Sequence, residues 1–588
     1  MLKADNLVSY KQYVFVLGIT WVLLIILILR YFQIQILGYD QYSKKANTNR
    51  IRRITISAPR GLILDRNRRI LVDNLPTYIL NAIPGELEEK AKIFKAISKT
   101  SGLDSAIISK NYKKYYRSRF IPTRLAKDLT FDQISKLEEN RLDLKGIYFQ
   151  QFAERYFPSK TRASHILGYV KEVDKEIRNS MAKKDDYELG DIIGWSGLEK
   201  SYEDFLKGRR GVQFHQVDAY GREAGHVSDF NPIDPEPGQN ILTTIDINIQ
   251  KKIEDLMNNR KGVIIVGIPK TGEILGAVSA PDFKPDLFTG HISAFDWRSI
   301  LNHPDKPLIN RFSRGLYPPG SIVKMITEAA LLTNTSFSPF NTQECKGVYQ
   351  FGDRVFGCWY TDGHGTVDLT SAISNSCDIY FYKTIDYYNL DILSSFFRLF
   401  GFGTPVGIDI EGESKGLVPT VEYMDKRYGK SGWSRGALLN FCIGQGEILV
   451  TPLQVFNYIN ILATKGNASR PHFVTLNKLR KNPPLNIKPE NWDRITYDMR
   501  QVIIDIKGTG KNADPNIEGL KLFGKTGTAE NSHGKDHAWF IGWMDMKGEK
   551  YSVVVLIENG GSGGSIAAPI AKKVFEQIVT SEYPLVNK

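Results

Sequence analysis

The chain has 588 residues, which exceeds the usual size of one domain and predicts two to four of them. Hydrophobic residues make up 42% and charged residues 24% of the composition, which is typical of a globular protein and excludes a disordered one. The net charge is +13, but we interpret the basic, tyrosine-containing stretch at 110–117 as a solvated surface and expect no nucleic-acid partner.

The first predicted element is a membrane-spanning helix. Residues 13–29 are nearly all apolar and uncharged, and Lys11 and Arg30 flank them. That length is at the short end for a transmembrane helix, and the sequence continues to residue 37 as an interfacial stalk. Because no small-residue cleavage site follows, we expect an uncleaved anchor over 13–37, after a cytoplasmic tail at 1–12.

Residues 38–240 are predicted to form a mixed N-terminal domain, called here the pedestal domain. Segments 51–56 and 61–72 have strand patterns, and segments 86–101 and 131–140 have the period of amphipathic helices. None of these segments carries a catalytic constellation. We therefore interpret the domain as a pedestal or interaction domain.

A Pro, Gly and acidic cluster at 234–238 predicts a linker, so a second domain is expected over 241–588. It begins with a predicted strand at 240–245, has a helical middle and ends with apolar strands at 538–543 and 551–557. This order predicts an α/β (α+β) domain in which a sheet is flanked by helices.

The chain contains Lys-Thr-Gly twice. The copy at 270–272 lies between two apolar strands and reads as the turn of a β-hairpin. The copy formed by Lys525, Thr526 and Gly527 follows an apolar segment and is flanked by Gly524 and Thr528. A glycine-rich strand of this kind suits an edge that a substrate backbone approaches closely.

Ser-x-x-Lys occurs three times, and one copy opens an apolar helix. Ser321 and Lys324 follow a Pro-Pro-Gly break, and 322–332 reads as a buried helix. Residues three apart share a helix face, so the Lys324 amine can reach the Ser321 hydroxyl and act as its base. The copies at 180–183 and 532–535 lie in polar segments and are interpreted as exposed surface.

The order of the motifs is informative. Ser321 and Lys324 are followed by Ser376-Cys377-Asp378, and then by Lys525-Thr526-Gly527. This series is typical of penicillin-binding proteins and class A β-lactamases. The chain resembles a class B penicillin-binding protein over nearly its whole length, and it is most like the elongation-type group, penicillin-binding protein 2.

Further segments carry the resemblance. Residues 59–67 resemble the family's N-terminal motif, 197–208 its pedestal motif, and 444–452 and 559–569 later transpeptidase segments. One position departs from the family at large, since Asp378 stands where asparagine is usual. Elongation-type members often carry aspartate there.

The resemblance implies the fold and the activity. We expect a penicillin-binding-protein/serine β-lactamase-like transpeptidase domain, an N-terminal pedestal and dimerisation-like domain, and one transmembrane helix. The implied activity is that of a peptidoglycan D,D-transpeptidase that cross-links D-Ala-D-Ala stem peptides and is inhibited by β-lactams. The implied location is the inner membrane, with the catalytic domain in the periplasm. A SEDS-family membrane glycosyltransferase and elongation-complex proteins are the expected partners.

The resemblance also assigns roles to residues. Ser321 is the expected nucleophile and Lys324 its base, kept partly neutral by the nearby charge of Lys525. Ser376 is expected to relay a proton. The backbone N–H groups of Ser321 and Thr528 are expected to form the oxyanion hole. The expected substrate-binding residues are Asp378, Thr526, Gly527 and Thr528.

Other functions share these motifs. A β-lactamase or a D,D-carboxypeptidase would pass the acyl group to water, although the anchor and long N-terminal half argue against a secreted β-lactamase. A division-type class B transpeptidase and a mainly non-enzymatic activator of a membrane glycan polymerase are further alternatives. Labelling with penicillin discriminates the last of these from an enzyme.

Three of the four cysteines crowd one segment together with a histidine. Outside the cytoplasm a disulfide is the default, and it would leave one cysteine of the cluster unpaired. Three thiolates and one imidazole also form a closed structural zinc set. The resemblance implies zinc at Cys345, Cys358, His364 and Cys377, with no organic cofactor. Cys442 is interpreted as an inert core thiol.

Overall fold

The computed structural model describes residues 10–40, 42, 51–119, 121–159, 161–217, 223–226, 231–289, 292–430 and 432–582. The described residues form two compact units. The first unit contains the described parts of Met1–Pro59, Pro76–Ala153 and Arg209–Pro237, and the second contains those of Arg60–Leu75, Glu154–Gly208 and Gly238–Lys588. The predicted division into sequence domains at 240/241 stays a prediction.

Helices and strands alternate along much of the described chain. The helices, α1 to α20 in chain order, are Tyr10–Phe32, Lys90–Ser101, Ser105–Tyr115, Phe131–Glu139, Ser164–Leu167, Lys175–Ser180, Gly197–Ser201, Glu203–Leu206, Ile247–Leu256, Ala294–Leu301, Arg311–Arg314, Lys324–Thr333, Leu369–Ser374, Asp378–Tyr382, Leu390–Leu399, Val421–Tyr428, Gly436–Cys442, Pro452–Ala463, Pro489–Ile504 and Ala568–Glu582. The strands, β1 to β19, are Ile51–Ile56, Ile63–Leu64, Ile70–Ala82, Thr123–Ala126, Ile147–Tyr156, Val170–Glu172, Ile192–Gly194, Gly211–Val217, Glu223–His226, Ile241–Leu242, Gly262–Ile268, Glu273–Ala280, Gln343–Cys345, Val348–Phe351, Arg354–Gly357, Gly365–Val367, Leu520–Ala529, His537–Met546 and Glu549–Ile557.

The N-terminal helix α1 continues as a short π-helical turn over Gln33–Leu37. Its apolar side chains are exposed. Among the described residues it is the one helix that is long and apolar enough to cross a membrane. At about 1.5 Å per residue, α1 spans roughly 34 Å, close to the thickness of a bilayer's hydrocarbon core.

The first unit has its own core, in which α2, α3 and α4 cover strand residues such as Leu80 and Leu125. Helix α4 begins with a capping box in which the side chains of Thr130 and Gln133 satisfy each other's backbone N–H groups. The helices predicted at 86–101 and 131–140 are confirmed, although the first begins only at Lys90.

The prediction of one strand over 61–72 was wrong. The segment forms β2, a turn and the start of β3. The Asp65 carboxylate accepts the backbone N–H groups of Asn67 and Arg69, each at 2.8 Å. This local turn competes with an extended backbone, and Arg68 adopts a left-handed conformation within it.

A five-stranded antiparallel sheet organises the second unit, in the order β12-β11-β19-β18-β17. Alternate residues of β19 enter different cores, because successive side chains point to opposite faces. Val553 and Val555 share a core with residues of α9 and α20. Val554 and Leu556 share the other with residues of α18. The predicted helix-flanked sheet is confirmed.

The strand predicted over 240–245 is shorter, covering only Ile241–Leu242. Asp246 ends the extended segment, since its carboxylate caps α9 by accepting the N–H groups of Asn248 and Ile249.

Candidate active site

Ser321, the predicted nucleophile, lies on a tight helical turn. Residues Gly320–Val323 form a 3₁₀ turn that continues into α12. The helix predicted at 322–332 is therefore confirmed, although its first turn is tighter than an α-helix. In such a turn, residues three apart eclipse one another, so Ser321 and Lys324 lie on one side. Ser321 is half-buried and Lys324 is fully buried.

Two glycines let this turn touch the edge strand β17. Gly320 has a φ of 58°, and a Cβ there would lie 2.7 Å from the carbonyl oxygen of Thr528. A Cβ on Gly527 would lie 2.8 Å from Cγ2 of Ile322. Any other residue would push strand and turn apart, so glycine is required for this approach.

The Lys324 amine points to the second motif. Its Nζ donates to the backbone oxygen of Ser376 at 2.8 Å and to Oδ1 of Asp378 at 2.8 Å, and it lies 3.3 Å from Ser376 Oγ. These three contacts match the three donors of an ammonium group. Among the described contacts none is a hydrogen bond from Lys324 to Ser321.

Ser376 joins the two buried lysines. Lys525 Nζ donates to Ser376 Oγ at 2.8 Å and to the backbone oxygen of Thr526 at 2.9 Å. Burial and the positive charge of Lys324 lower the pKa of Lys525 well below its ordinary value, although Asp378 opposes this shift. The amine that these effects favour as neutral is therefore Lys525. Ser376 itself has a φ of 56°, a strained value for serine.

The edge strand presents its last two threonines differently. Thr526 is buried, and its hydroxyl donates to Thr509 Oγ1 at 2.7 Å. Thr528 is exposed, and Gln445 Nε2 donates to its backbone oxygen at 3.4 Å. The Thr528 hydroxyl accepts the backbone N–H of Gly563 at 3.4 Å. Both threonine hydroxyls therefore have a protein partner, but only Thr528 is exposed to an incoming molecule.

The other motif copies are surface features, as predicted. Lys270 is exposed, and the hairpin turn between β11 and β12 contains Gly272 with a φ of 82°. Ser180, at the end of α6, and Ser532 are exposed. Within the described part of the chain, neither the Lys-Thr-Gly at 270–272 nor the other two Ser-x-x-Lys copies form a hydrogen bond with Ser376.

The four predicted metal ligands converge. One ligand atom from each of Cys345, Cys358, His364 and Cys377 lies within 4.8 Å of all the others. His364 Nδ1 is 3.5 Å from the Cys358 sulfur and 3.6 Å from the Cys345 sulfur. All three cysteines are buried as free thiols. Cys442 is a fourth buried thiol outside the cluster, and burial raises its pKa to about 12.

Sequence reasoning missed Trp359, which links this cluster to the catalytic motif. Its backbone N–H donates to Asp378 Oδ2 at 3.3 Å, and its indole N–H donates to the backbone oxygen of Asn375 at 3.0 Å. Trp359 directly follows Cys358, and that adjacency is the one signal that could have identified it. The Asp378 carboxylate, predicted to bind substrate, is thus held between Lys324 and Trp359.

Comparison with known families agrees with this geometry. The model of the penicillin binding protein transpeptidase domain matches residues 262–576, more than half of the chain, and that of the penicillin-binding protein dimerisation domain matches residues 55–243. The chain belongs to the penicillin-binding protein transpeptidase family. The predicted fold, a transpeptidase domain with an N-terminal dimerisation domain, is confirmed.

Individual penicillin-binding proteins are similar over the full length. Peptidoglycan D,D-transpeptidase MrdA of Haemophilus influenzae is 32% identical over 100% of this chain and 94% of its own length. Penicillin-binding protein 2 of Helicobacter pylori, solved in complex with MreC, has a TM-score of 0.79 at 28% identity and covers 90% of this chain and 99% of that one. A chain of a peptidoglycan synthase complex has a TM-score of 0.71 at 28% identity, covering 96% and 98%. The predicted resemblance to penicillin-binding protein 2 is confirmed.

Proposed function

We propose that this penicillin-binding protein is a membrane-anchored peptidoglycan D,D-transpeptidase of cell elongation. The observation that carries the proposal is the chain of hydrogen bonds Lys324–Ser376–Lys525 beside Ser321. It places two buried amines and a hydroxyl next to a half-buried nucleophile at the edge of a sheet. The full-length similarity to a relative named D,D-transpeptidase supports the same activity.

The buried lysines supply the base. An ammonium group on Lys324 cannot accept a proton, but Ser376 Oγ connects it to Lys525, whose lowered pKa favours a neutral amine. Moving one proton from Lys324 through Ser376 to Lys525 leaves Lys324 neutral. Lys324 then accepts the hydroxyl proton of Ser321, which activates the nucleophile.

The acylation step follows from this arrangement. Ser321 Oγ attacks the carbonyl carbon of the penultimate D-alanine, and the oxyanion is stabilised by the N–H groups of Ser321 and Thr528. The bond to the terminal D-alanine breaks, and its nitrogen takes a proton from Ser376, which Lys324 replaces. An amine of a neighbouring stem peptide then attacks the ester, loses its proton along the same route and restores Ser321.

The edge strand binds the substrate in this proposal. Thr528, the exposed threonine of the strand, is the first contact for the terminal carboxylate, and buried Lys525 contributes positive potential. Thr526 would have to exchange its hydrogen bond with Thr509 to join it. Asp378 holds Lys324 rather than touching the peptide in the arrangement described above.

We also propose a structural zinc ion at Cys345, Cys358, His364 and Cys377. Ligands of a tetrahedral zinc lie about 3.3–3.8 Å from one another, because Zn–S and Zn–N distances are about 2.3 and 2.0 Å. The 3.5 and 3.6 Å spacings around His364 agree with this requirement. Bound there, zinc would hold Cys377, which lies between Ser376 and Asp378, and would take no part in proton transfer.

The membrane anchor and partners complete the proposal. Helix α1 fits a single-pass anchor in the inner membrane. The catalytic domain then lies on the side of the membrane away from the cytoplasm. A similar penicillin-binding protein 2 was solved with MreC, and another similar chain belongs to a peptidoglycan synthase complex. We therefore propose elongation-complex proteins and a SEDS-family glycan polymerase as partners.

Two assays on the full-length protein in detergent test the activity. A fluorescent penicillin should label the protein, and peptide mass spectrometry should locate the adduct on Ser321. A stem-peptide donor should release D-alanine in step with the cross-linking of an added acceptor amine. Release of D-alanine without cross-linking would indicate a carboxypeptidase. The absence of a penicillin adduct would contradict the proposal that the protein is a serine acyltransferase.

A further inference from the structure

One buried carboxyl group in the nucleophile helix has no part in the mechanism above. Glu328 lies four residues after Lys324 on α12, and residues at that spacing share a helix face. Its side chain is fully buried, and neither carboxylate oxygen accepts an N–H or O–H group from the described part of the chain. A buried carboxylate without a donor is strongly unfavourable.

The neighbouring acidic group is Asp498 on α19, which is also fully buried. Asp498 does have donors: Thr370 Oγ1 donates to Oδ1 at 2.6 Å, and Arg494 Nε donates to Oδ2 at 2.9 Å. Both Asp498 oxygens therefore have a donor, one of them from the ion pair with Arg494. Glu328 is the acid of the two that has none.

Both acids are fully buried, on two helices that pack together. Burial, the charge of Asp498 and hydrogen bonding to it raise the pKa of Glu328 well above its ordinary value, and Arg494 only partly opposes the shift. The mechanism is the familiar one for paired carboxyl groups, in which like charges that share a site cannot both ionise. A proton on Glu328 removes the buried charge and gives the side chain an O–H group that can donate to Asp498.

We propose that Glu328 is a positioning residue of the acylation machinery, which stays protonated and ties the nucleophile helix to Asp498 and so to the helix before Ser376. Thr370, the donor to Asp498, lies on α13, which leads directly into Ser376. Helix α19 also reaches the edge strand, since Arg500 Nη1 donates to the backbone oxygen of Leu522 at 2.7 Å. One helix therefore contacts the elements that carry all three motifs.

Other titratable groups surround Glu328. Lys324 precedes it on α12, and α19 supplies Asp498 and Arg494. The tyrosines whose electrostatic environment includes Glu328 are Tyr380 and Tyr458. Asp368 caps α13 and interacts with Arg494. The charged residues of α15, which also packs against α12, are exposed: Asp391 and Arg398.

If Glu328 is protonated in the folded protein, its contribution to stability must fall as pH rises. A carboxyl whose folded pKa is raised contributes stability that is complete below its unfolded pKa and is lost as pH rises toward the folded pKa. Glu328→Gln keeps a donor to Asp498 but does not titrate. The melting temperature of the variant minus that of the wild type should therefore rise with pH from about 4.5, the ordinary value for glutamate.

The test uses the full-length protein in detergent and three variants. Thermal unfolding is followed from about pH 5 to about pH 8. The melting temperature of Glu328→Gln should rise relative to that of the wild type over this range. That of Glu490→Gln, an exposed change on α19, the helix of Asp498, should not. Glu328→Leu should slow acylation by a fluorescent penicillin on the order of tenfold or more, whereas Glu328→Gln should stay within about twofold.

The stability measurement and the acylation measurement test separate parts of the proposal. A melting-temperature difference that is flat or falls with pH would mean that Glu328 is ionised, which overturns the proton. Wild-type acylation in folded Glu328→Leu overturns the positioning role; if that variant does not fold, Thr370→Val replaces it, because it removes the link between Asp498 and α13. The positioning role rests on the proposed function. If the wild type is not labelled, both the proposed function and the positioning role are overturned. The melting temperatures would still show whether Glu328 is protonated.

Discussion

The chain contains Lys-Thr-Gly twice, and the two copies differ in backbone, burial and neighbours. Lys270 is exposed at a hairpin turn that connects two strands of the central sheet. Lys525 is fully buried within an edge strand and donates to Ser376. In the proposed mechanism the triplet takes part in the chemistry only where the edge strand meets the turn of Ser321 and the second motif. The exposed copy is therefore a control for the buried one.

The largest effect is expected from the nucleophile. Ser321→Ala should abolish covalent labelling by fluorescent penicillin, because no other hydroxyl lies on the turn beside Lys324 and the edge strand. The melting temperature should barely change, since Ser321 is half-buried and makes no recorded side-chain hydrogen bond within the described residues. Ser180→Ala changes the exposed copy of the motif and should leave labelling intact. If Ser321→Ala is still labelled, Ser321 is not the nucleophile.

The next effect separates the two Lys-Thr-Gly copies directly. Lys525→Ala should slow acylation by roughly 10²- to 10⁴-fold, the usual consequence of losing a group that takes part in proton transfer. Lys270→Ala should acylate at the wild-type rate, because Lys270 is exposed. Stopped-flow measurement of adduct formation compares them. Equal rates in the two variants would show that burial against Ser376 is irrelevant to the chemistry.

Sequence reasoning placed the motifs because each depends on local chemistry. Pro-Pro-Gly before Ser321 predicts a helix start, and the apolar residues after Lys324 predict a buried helix; both are confirmed. The anchor and the paired apolar strands of the sheet follow from pattern in the same way. The strand predicted over 61–72 is an exception, because the Asp65 side chain holds a turn within it.

What pattern missed are contacts between distant segments. Lys324 was predicted to serve Ser321 directly, with its charge tuned by Lys525. In the structure the Lys324 amine is paired with Asp378, and the amine with the lowered pKa is Lys525. Glu328 could have been noticed as the lone carboxyl group in an apolar run, but its partner Asp498 lies on a helix far along the chain. Only folding brings the two carboxyl groups together.

The cysteines offer a similar comparison, between a cluster and a lone buried thiol. Elemental analysis should find close to one zinc per chain. Cys358→Ser should lose the metal and lower the melting temperature by about 5 °C or more, because structural zinc contributes folding free energy. Cys442→Ala lies outside the cluster and should keep the metal.

Acylation should weaken in the metal-free protein, since Trp359 beside Cys358 holds Asp378. Treatment of the wild type with a chelator should lower its melting temperature and slow its acylation, as Cys358→Ser does. Metal-free wild-type protein with a Cys345–Cys358 disulfide would overturn the zinc proposal and support the ordinary chemistry of extracytoplasmic cysteines.

The smallest effect concerns stability and returns to the two lysines. Because burial lowers the folded pKa of Lys525, the unfolded chain binds more protons between that pKa and the ordinary 10.5, and the native state gains stability as pH rises through this window. Lys525→Met removes the titration. Its melting temperature should exceed that of the wild type most at the low end of the window, by about 2 °C, and the advantage should shrink toward pH 10.5. Lys270→Met, at an exposed position, should show no such trend. A pH-independent difference for Lys525→Met would mean that Lys525 is charged in the folded protein, and the route of the proton from Lys324 would then have to end at another group.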